Sequence, residues 1–179
     1  MIRSTDERYG SIARLLHWAV ALLIIGLVAL GFWMVDLSYY DRWYNRSLEL
    51  HKEFGMIVLA LAALKIGWAI FDVKPDFPET IKPWERTAAT AVHHLFYLLM
   101  LVIPVTGYVI STSAGDGISI FDWLEVPAIF AAGENVRDLA IELHYWLAYG
   151  TAGLVVIHAL AALKHQLIDR DGTLRRMLW

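Results

Sequence analysis

The chemistry of this sequence is concentrated in its histidines. There are seven of them, and there is no cysteine. Neutral imidazole is a common metal ligand and titrates near neutral pH. Without cysteine, the chain has no covalent haem attachment motif, no thiolate ligands for an iron–sulfur cluster and no zinc–thiolate site. Any haem would therefore be bound non-covalently. The histidines are His17, His51, His93, His94, His144, His158 and His165.

Two of these histidines, His144 and His158, have a spacing that suits two metal sites. They are 14 positions apart, which in an α-helix is a rise of about 21 Å and an angular offset of about 40°. They would lie on one face of a helix at two depths. A haem iron can take two axial imidazoles, and facing helices of a bundle are well placed to supply one each.

The elements that would carry these histidines are membrane-spanning helices. Hydrophobic residues make up 58% of the chain, and its mean hydropathy is +0.50, which exceeds what a soluble domain needs. Segments that cross the hydrocarbon must be helical to satisfy their backbone. We predict an all-α fold, an integral membrane four-helix bundle that forms a single domain over residues 1–179. Its four apolar segments are residues 15–35, 54–71, 88–110 and 143–163.

The longest connection, residues 111–138, contains Gly115, Gly117 and Pro127. We expect it to cap the outer face of the bundle, because a long ordered loop in a small protein usually has a structural or functional task. Within it, residues 120–124 are predicted to form a short interfacial helix.

The distribution of basic residues predicts the orientation. If the amino terminus is inside, the inner parts hold eleven basic residues and the outer parts hold four, Arg42, Arg46, Lys52 and Arg137. This asymmetry places both termini in the cytoplasm of a multi-pass protein of the bacterial inner membrane. The inner basic residues are Arg3, Arg8, Arg14, Lys65, Lys74, Lys82, Arg86, Lys164, Arg170, Arg175 and Arg176.

With this topology, four histidines fall into two pairs. His17 and His158 share an inner depth, while His51 and His144 are expected to open helices 2 and 4 on the outer side. Such histidines could instead be interhelical hydrogen-bond partners. Four at matched depths, two of them on one stripe, favour a bound cofactor. The four histidines are therefore candidate ligands of two haem irons.

Functions of other classes are less well supported. A histidine-based metal transporter would need carboxylates near the midplane, and the apolar segments contain none at that depth. A membrane assembly subunit stays possible but has no specific motif. No basic run indicates a nucleic-acid partner, so the lipid bilayer is the one partner that composition predicts.

Four motifs together resemble the prokaryotic cytochrome b561 family. The resemblance covers nearly the whole chain and keeps the order of the four helices. It implies two non-covalent haem b groups, with His17 opposite His158 and His51 opposite His144, and electron exchange with ubiquinone. The motifs are Arg14-Leu-Leu-His17-Trp18, Leu50-His51-Lys52 with Gly55, His93 with Pro104-Val-Thr-Gly107, and Leu143-His144 with His158.

Local motifs such as Gly107-Tyr-Val-Ile-Ser-Thr112 and Ala162-Leu-Lys-His165 resemble one branch of that family. That branch is often encoded beside a periplasmic isoprenoid-binding protein of the YceI type, which the resemblance implies as a possible partner. Another branch oxidises superoxide and reduces ubiquinone, so superoxide:ubiquinone oxidoreductase is the alternative activity. The outer face opposes it, because ten acidic residues there outnumber four basic ones and repel an anion.

Three further residues are candidates for secondary roles. His93 and His94 are adjacent in helix 3 and diverge by about 100°, so at most one faces the bundle centre. The family pattern favours His93 as a possible haem contact. His165 extends the stripe of His144 and His158 and, with Arg14, could form a quinone site; a solvated imidazole at the membrane surface is the alternative.

Overall fold

The protein is described by a computed structural model that covers residues 1–178. Four helices of 24 to 31 residues form a bundle, and each is long and apolar enough to cross a membrane. The elements in chain order are α1 (Ser11–Met34), α2 (Tyr44–Phe71), α3 (Pro83–Thr112), β1 (Ile118–Ile120), β2 (Leu124–Val126), α4 (Glu134–Lys164), a π-helical turn (His165–Asp169) and α5 (Arg175–Leu178).

Sequential helices pack on each other, α1 on α2, α2 on α3 and α3 on α4, and α1 also touches α4. A small apolar cluster of Val20, Ala62 and Met100 lies at the centre. The outward faces expose large side chains, for example Leu22 at 65% and Ile157 at 62%. Apolar side chains on the outside of a helical bundle suit a lipid environment, where the backbone is satisfied within each helix.

The long connection differs from the prediction. It has no interfacial helix at residues 120–124, but an antiparallel hairpin in which Ile118 pairs with Val126 and Ile120 with Leu124. Phe121 and Asp122 form the turn with positive φ angles of 49° and 60°. The sequence alternates here with the period of a strand, and Ile118 and Ile120 are buried. The fold is therefore mostly helical rather than all-α.

The amino-terminal segment is fastened across the end of α2. The Ser4 backbone N–H and hydroxyl donate to the Asp72 carboxylate at 3.0 and 2.5 Å, and Trp68 Nε1 donates to the same carboxylate at 3.0 Å. Gly10 is required where this segment turns into α1, because a Cβ there would lie 2.3 Å from the Ile2 carbonyl oxygen. We call the segment of residues 1–10 the amino-terminal strap.

The carboxyl-terminal tail lies at the same end of the bundle as the strap. Trp18 Nε1 of α1 donates to the Met177 carbonyl at 2.9 Å, and Arg176 donates to the Asp76 carbonyl at 2.5 Å. We call this end the terminal end, and the opposite end, which carries β1 and β2, the hairpin end.

Candidate functional site

One pair of histidines lies toward the hairpin end. The ring centroids of His51 in α2 and His144 in α4 are 6.1 Å apart, with the ring planes inclined by 68°. Hydropathy predicted that His51 opens α2, and this prediction is wrong. His51 lies seven residues after the first residue of α2, Tyr44. His144 likewise lies ten residues into α4. Both imidazoles are therefore held by complete helical turns on either side.

Glycines on the other two helices leave room for these rings. A Cβ on Gly31 of α1 would lie 3.3 Å from Cε1 of His51, and a Cβ on Gly107 of α3 would lie 3.2 Å from Cε1 of His144. Both distances are tighter than an ordinary carbon contact of about 3.5–4.0 Å. We call the four positions 31, 51, 107 and 144 the hairpin layer.

The orientation of the His144 ring is fixed by α3. Nδ1 of His144 lies 3.0 Å from the Ile103 carbonyl oxygen and 3.0 Å from the Thr106 hydroxyl oxygen. Thr106 in turn donates its hydroxyl proton to the Ile103 carbonyl at 2.7 Å. A carbonyl only accepts, so this arrangement assigns the proton to Nδ1 and leaves Nε2 with a free lone pair. Metal-bound histidines typically have such a carbonyl behind them.

His51 has a different environment. Its Nδ1 is buried and has no hydrogen-bond partner among residues 1–178, and an unpaired buried polar atom needs an explanation. The ring lines a largely apolar cleft, to which Val28, Phe96 and Ala148 contribute on the three other helices. A flat apolar cofactor with a metal at its centre would fill that cleft and take up the free imidazole nitrogen.

The second pair of histidines lies toward the terminal end. The ring centroids of His17 in α1 and His158 in α4 are 6.4 Å apart. His93 of α3 joins them, with its ring 5.7 Å from that of His158, and Phe96 packs on His158 at 5.4 Å. Its neighbour His94 is exposed, as expected if only one of the two faces the bundle centre.

The four helices share a register that the sequence analysis recognised only in α4. His17 and Gly31 of α1 are 14 positions apart, and so are His93 and Gly107 of α3. His51 of α2 has Lys65 at the same interval. Each helix thus places one position in the hairpin layer and one about 21 Å away, in what we call the terminal layer, positions 17, 65, 93 and 158.

The distance between the paired rings in each layer suits a metal ion held between them. Two imidazoles on opposite sides of one metal have centroids roughly 6 Å apart, since a metal–nitrogen bond is about 2 Å and each ring adds about 1 Å. The observed 6.4 and 6.1 Å agree with this. His93, at 5.7 Å from His158, also meets the distance, so distance alone does not separate it from His17 as a ligand.

A polar network at the terminal end surrounds His165. Its Nδ1 lies 2.7 Å from Asp171 Oδ2 and 2.9 Å from Asp169 Oδ2. Lys164 Nζ bridges Asp169 and Glu85 of α3 at 2.6 and 2.7 Å. Burial acts to raise the pKa of Asp171, but hydrogen bonds from Thr173 and His165 outweigh it, and the pKa lies below its ordinary value.

The network buries His165 and holds its ring, but it does not include Arg14. Its side chain is only 14% exposed, so it is not the solvated imidazole of the alternative reading. Asp171, which the sequence analysis did not single out, holds its Nδ1 together with Asp169. Arg14 is not part of the network, but its Nε is buried without a hydrogen-bond partner in the described chain.

Four membrane-length helices with paired imidazoles at two depths define a class of protein, the membrane cytochromes b. The comparison with known proteins agrees. Residues 8–179 match the family model described as prokaryotic cytochrome b561. Cytochrome b561 homolog 2 of Escherichia coli is 43% identical over 175 residues, covering 98% of this chain and 93% of that protein.

More distant relatives are similar over the same length. The probable superoxide oxidase CybB of Yersinia pestis is 26% identical and covers 96% of both chains. Cytochrome b562 of Cereibacter sphaeroides is 29% identical over 97% of this chain and 96% of that protein. The chain belongs to the prokaryotic cytochrome b561 family, which makes it a membrane-embedded electron-transfer protein with haem b as its cofactor.

Proposed function

We propose that this protein carries electrons across the bacterial inner membrane through two haem b groups, one in each layer. His17 and His158 are the axial ligands in the terminal layer, and His51 and His144 are those in the hairpin layer. The observation that carries the proposal is the pair of imidazole contacts at 6.4 and 6.1 Å, at two depths of one helical face of α4.

The residues of the chain have distinct tasks in this function. A haem bound in each layer supplies a one-electron iron couple. The Ile103 carbonyl holds His144 with Nε2 free, and Gly31 and Gly107 leave space for the rings. Apolar side chains keep water away, which strengthens local electrostatic interactions. Phe96 lies between the layers, since it touches His158 and also lines the hairpin-end cleft.

His93 is proposed to contact the haem of the terminal layer without ligating it. The resemblance to the cytochrome b561 family supports this, because it implies that His17 lies opposite His158. The register alone does not decide, since Gly107 matches His93 and Gly31 likewise matches His17. The ligands of the hairpin layer come from α2 and α4, and those of the terminal layer come from α1 and α4.

The terminal end is proposed to face the cytoplasm, with the whole chain acting as one domain. Eleven basic residues against four support this orientation. Fusions at the carboxyl terminus test it: alkaline phosphatase is expected to be inactive there and a fluorescent protein to be bright. Strong phosphatase activity would contradict the proposal and place the terminal end on the periplasmic side.

Ubiquinone is proposed to exchange electrons at the terminal end, beside His165. The Asp171 and Asp169 carboxylates hold Nδ1 of His165, so Nε2 is left to face a ligand. An imidazole nitrogen can donate a proton to a quinone oxygen as the quinone is reduced. Arg14 lies on α1 three residues before His17, where its buried and unpartnered Nε can also donate to a quinone oxygen.

Superoxide oxidation at the hairpin end is the second candidate, favoured by the similarity to a probable superoxide oxidase. Charge opposes it, and Arg46, one of the four basic residues there, already pairs with Glu49 at 3.3 Å. If superoxide fails to reduce the protein, a soluble periplasmic donor, or a protein of the YceI type, is the remaining partner class.

The proposed function is tested by optical spectra of the purified protein, first oxidised and then reduced with dithionite, together with haem quantified per chain. Sharp reduced bands of b type and two haems per chain are expected. A single haem per chain would overturn the two-layer proposal, and a protein without haem would overturn the function.

A further inference from the structure

Lys65 is the one member of the terminal layer to which the proposed function gives no task. It lies on the same face of α2 as His51, at an interval of 14 positions, and therefore at the depth of His17 and His158. In the hairpin layer, the two positions that do not carry a histidine are glycines, which leave space beside the imidazole rings. In the terminal layer, α2 carries a long cationic side chain at the position that matches His51 of the hairpin layer.

The ammonium group of Lys65 points into the bundle. Its Nζ lies over the Tyr97 ring of α3, 5.8 Å from the centroid, which is within the range of a cation–π contact. This contact turns the group toward α3, in the layer that holds His17 and His158.

This ammonium has no counter-ion among the residues that the structure describes. Across residues 1–178, no carboxylate lies within 4.0 Å of Lys65. The next acidic residue along the chain is Asp72, just past the end of α2. Its carboxylate is engaged by Ser4 and Trp68. A cation at membrane depth is costly unless it is paired, so the pairing anion is expected from a ligand.

We propose that Lys65 binds a propionate carboxylate of the haem in the terminal layer and thereby raises the reduction potential of that haem. The inference rests on the proposed function, because it requires a haem between His17 and His158. Haem b carries two propionates, and in an apolar bundle each needs a cationic partner. A positive charge beside the haem favours the reduced iron, which carries one positive charge less.

The test is a redox titration of Lys65→Gln, Lys65→Arg and the wild type, followed optically. Lys82→Gln is the matched control, because it removes an exposed charge at the same end of the bundle. In Lys65→Gln, one of two haems is expected to lose roughly tenfold in its reduction equilibrium constant, equal to about 59 mV for one electron. Lys65→Arg and Lys82→Gln should keep both potentials.

Reconstitution with haem b dimethyl ester identifies the anion. If Lys65 binds a propionate, the shift caused by Lys65→Gln should vanish in the ester, which has no carboxylate. A shift of equal size with haem b and with the ester would overturn the propionate assignment and indicate another anion, such as a lipid phosphate.

Two outcomes separate this inference from the function beneath it. Two haems per chain in the wild type, with both potentials unchanged in Lys65→Gln, would overturn the role of Lys65 and leave the function standing. Fewer than two haems in the wild type would overturn both. If Lys65→Gln loses one haem altogether, recovery of that haem in Lys65→Arg supports the proposal, and failure to recover it overturns the proposal.

Discussion

Nδ1 of His144 and the carbonyl oxygen of Ile103 lie 3.0 Å apart, so that α3 orients an imidazole of α4 across the helix interface. The Thr106 hydroxyl completes this contact by donating to the same carbonyl and lying 3.0 Å from Nδ1. These contacts fix both the tautomer and the orientation of the His144 ring in the hairpin layer.

Thr106→Val should weaken the haem of the hairpin layer. Removal of a partner that orients a metal-bound histidine typically costs about 10–100-fold in metal affinity, and we expect haem loss to be faster by roughly tenfold. Transfer of haem to an excess of apomyoglobin measures this rate. Ser113→Ala is the control, since Ser113 makes the same kind of bond to the Ile110 carbonyl. Equal loss rates in both variants would contradict the role of Thr106.

Gly107→Ala should disturb the same layer by a different cause. The added methyl would lie 3.2 Å from Cε1 of His144, so the ring must move away from its place. We expect the low-spin spectrum of one haem to change while the other is kept. Gly26→Ala has nothing within 4 Å of the new methyl and should leave both spectra intact. An unaltered spectrum in Gly107→Ala would contradict the prediction, because it would show that the His144 ring has room for the added methyl.

How much of this arrangement was predictable depends on the signal that each part leaves in the sequence. Hydropathy located four helices but began the second at residue 54, whereas α2 begins at Tyr44. The polar turns around Arg46 and Glu49 continue the helix beyond the apolar part, and a hydropathy criterion does not detect them. The error did not affect the pairing of the histidines by depth, because that pairing depends only on the end of the bundle to which each histidine is nearer.

Two other features were present in the sequence and were missed. The alternation from Ile118 to Val126 is typical of a hairpin, but the long apolar segments nearby favoured a helical reading. The interval of 14 positions was noticed in α4 only, because in α1 and α3 one member of each pair is a glycine. A glycine beside a ligand contributes only space. That role can be recognised only when the ring from the neighbouring helix is known.

Asp72 should make the amino-terminal strap sensitive to acid. Burial acts to raise the pKa of this carboxyl, but hydrogen bonds from Ser4, Trp68 and Val73 outweigh it and hold the pKa below its ordinary value of 3.8. The stabilisation is therefore present above that value and is lost as the pH falls through the lower pKa of the folded state. Proteolysis of the strap should accelerate in that acid range.

The variant Asp72→Asn should show the faster cleavage already at neutral pH, because the neutral amide is a weaker acceptor for the Ser4 bonds. The exposed Asp76→Asn serves as the control and should retain the profile of the wild type. A wild-type cleavage profile in Asp72→Asn would mean that the carboxylate does not hold the strap.

His165→Leu should slow electron exchange with quinone. The substitution removes the acid and base group while the haem layers lie deeper in the bundle, so both haems should stay. We expect reoxidation of the reduced protein by a soluble ubiquinone analogue to slow by roughly tenfold or more. His94→Leu, which changes an exposed histidine of α3, should not alter the rate. Rates equal to wild type in His165→Leu would place the quinone elsewhere.

The central claim, two haems held by four histidines in two layers, is tested most directly by haem content in His144→Ala and His158→Ala. Loss of an axial imidazole leaves the iron with an open position in a loosened pocket. Each variant should bind one haem per chain, and the two remaining haems should differ in spectrum because they occupy different layers. Two haems per chain with an unchanged low-spin spectrum in either variant would contradict the account.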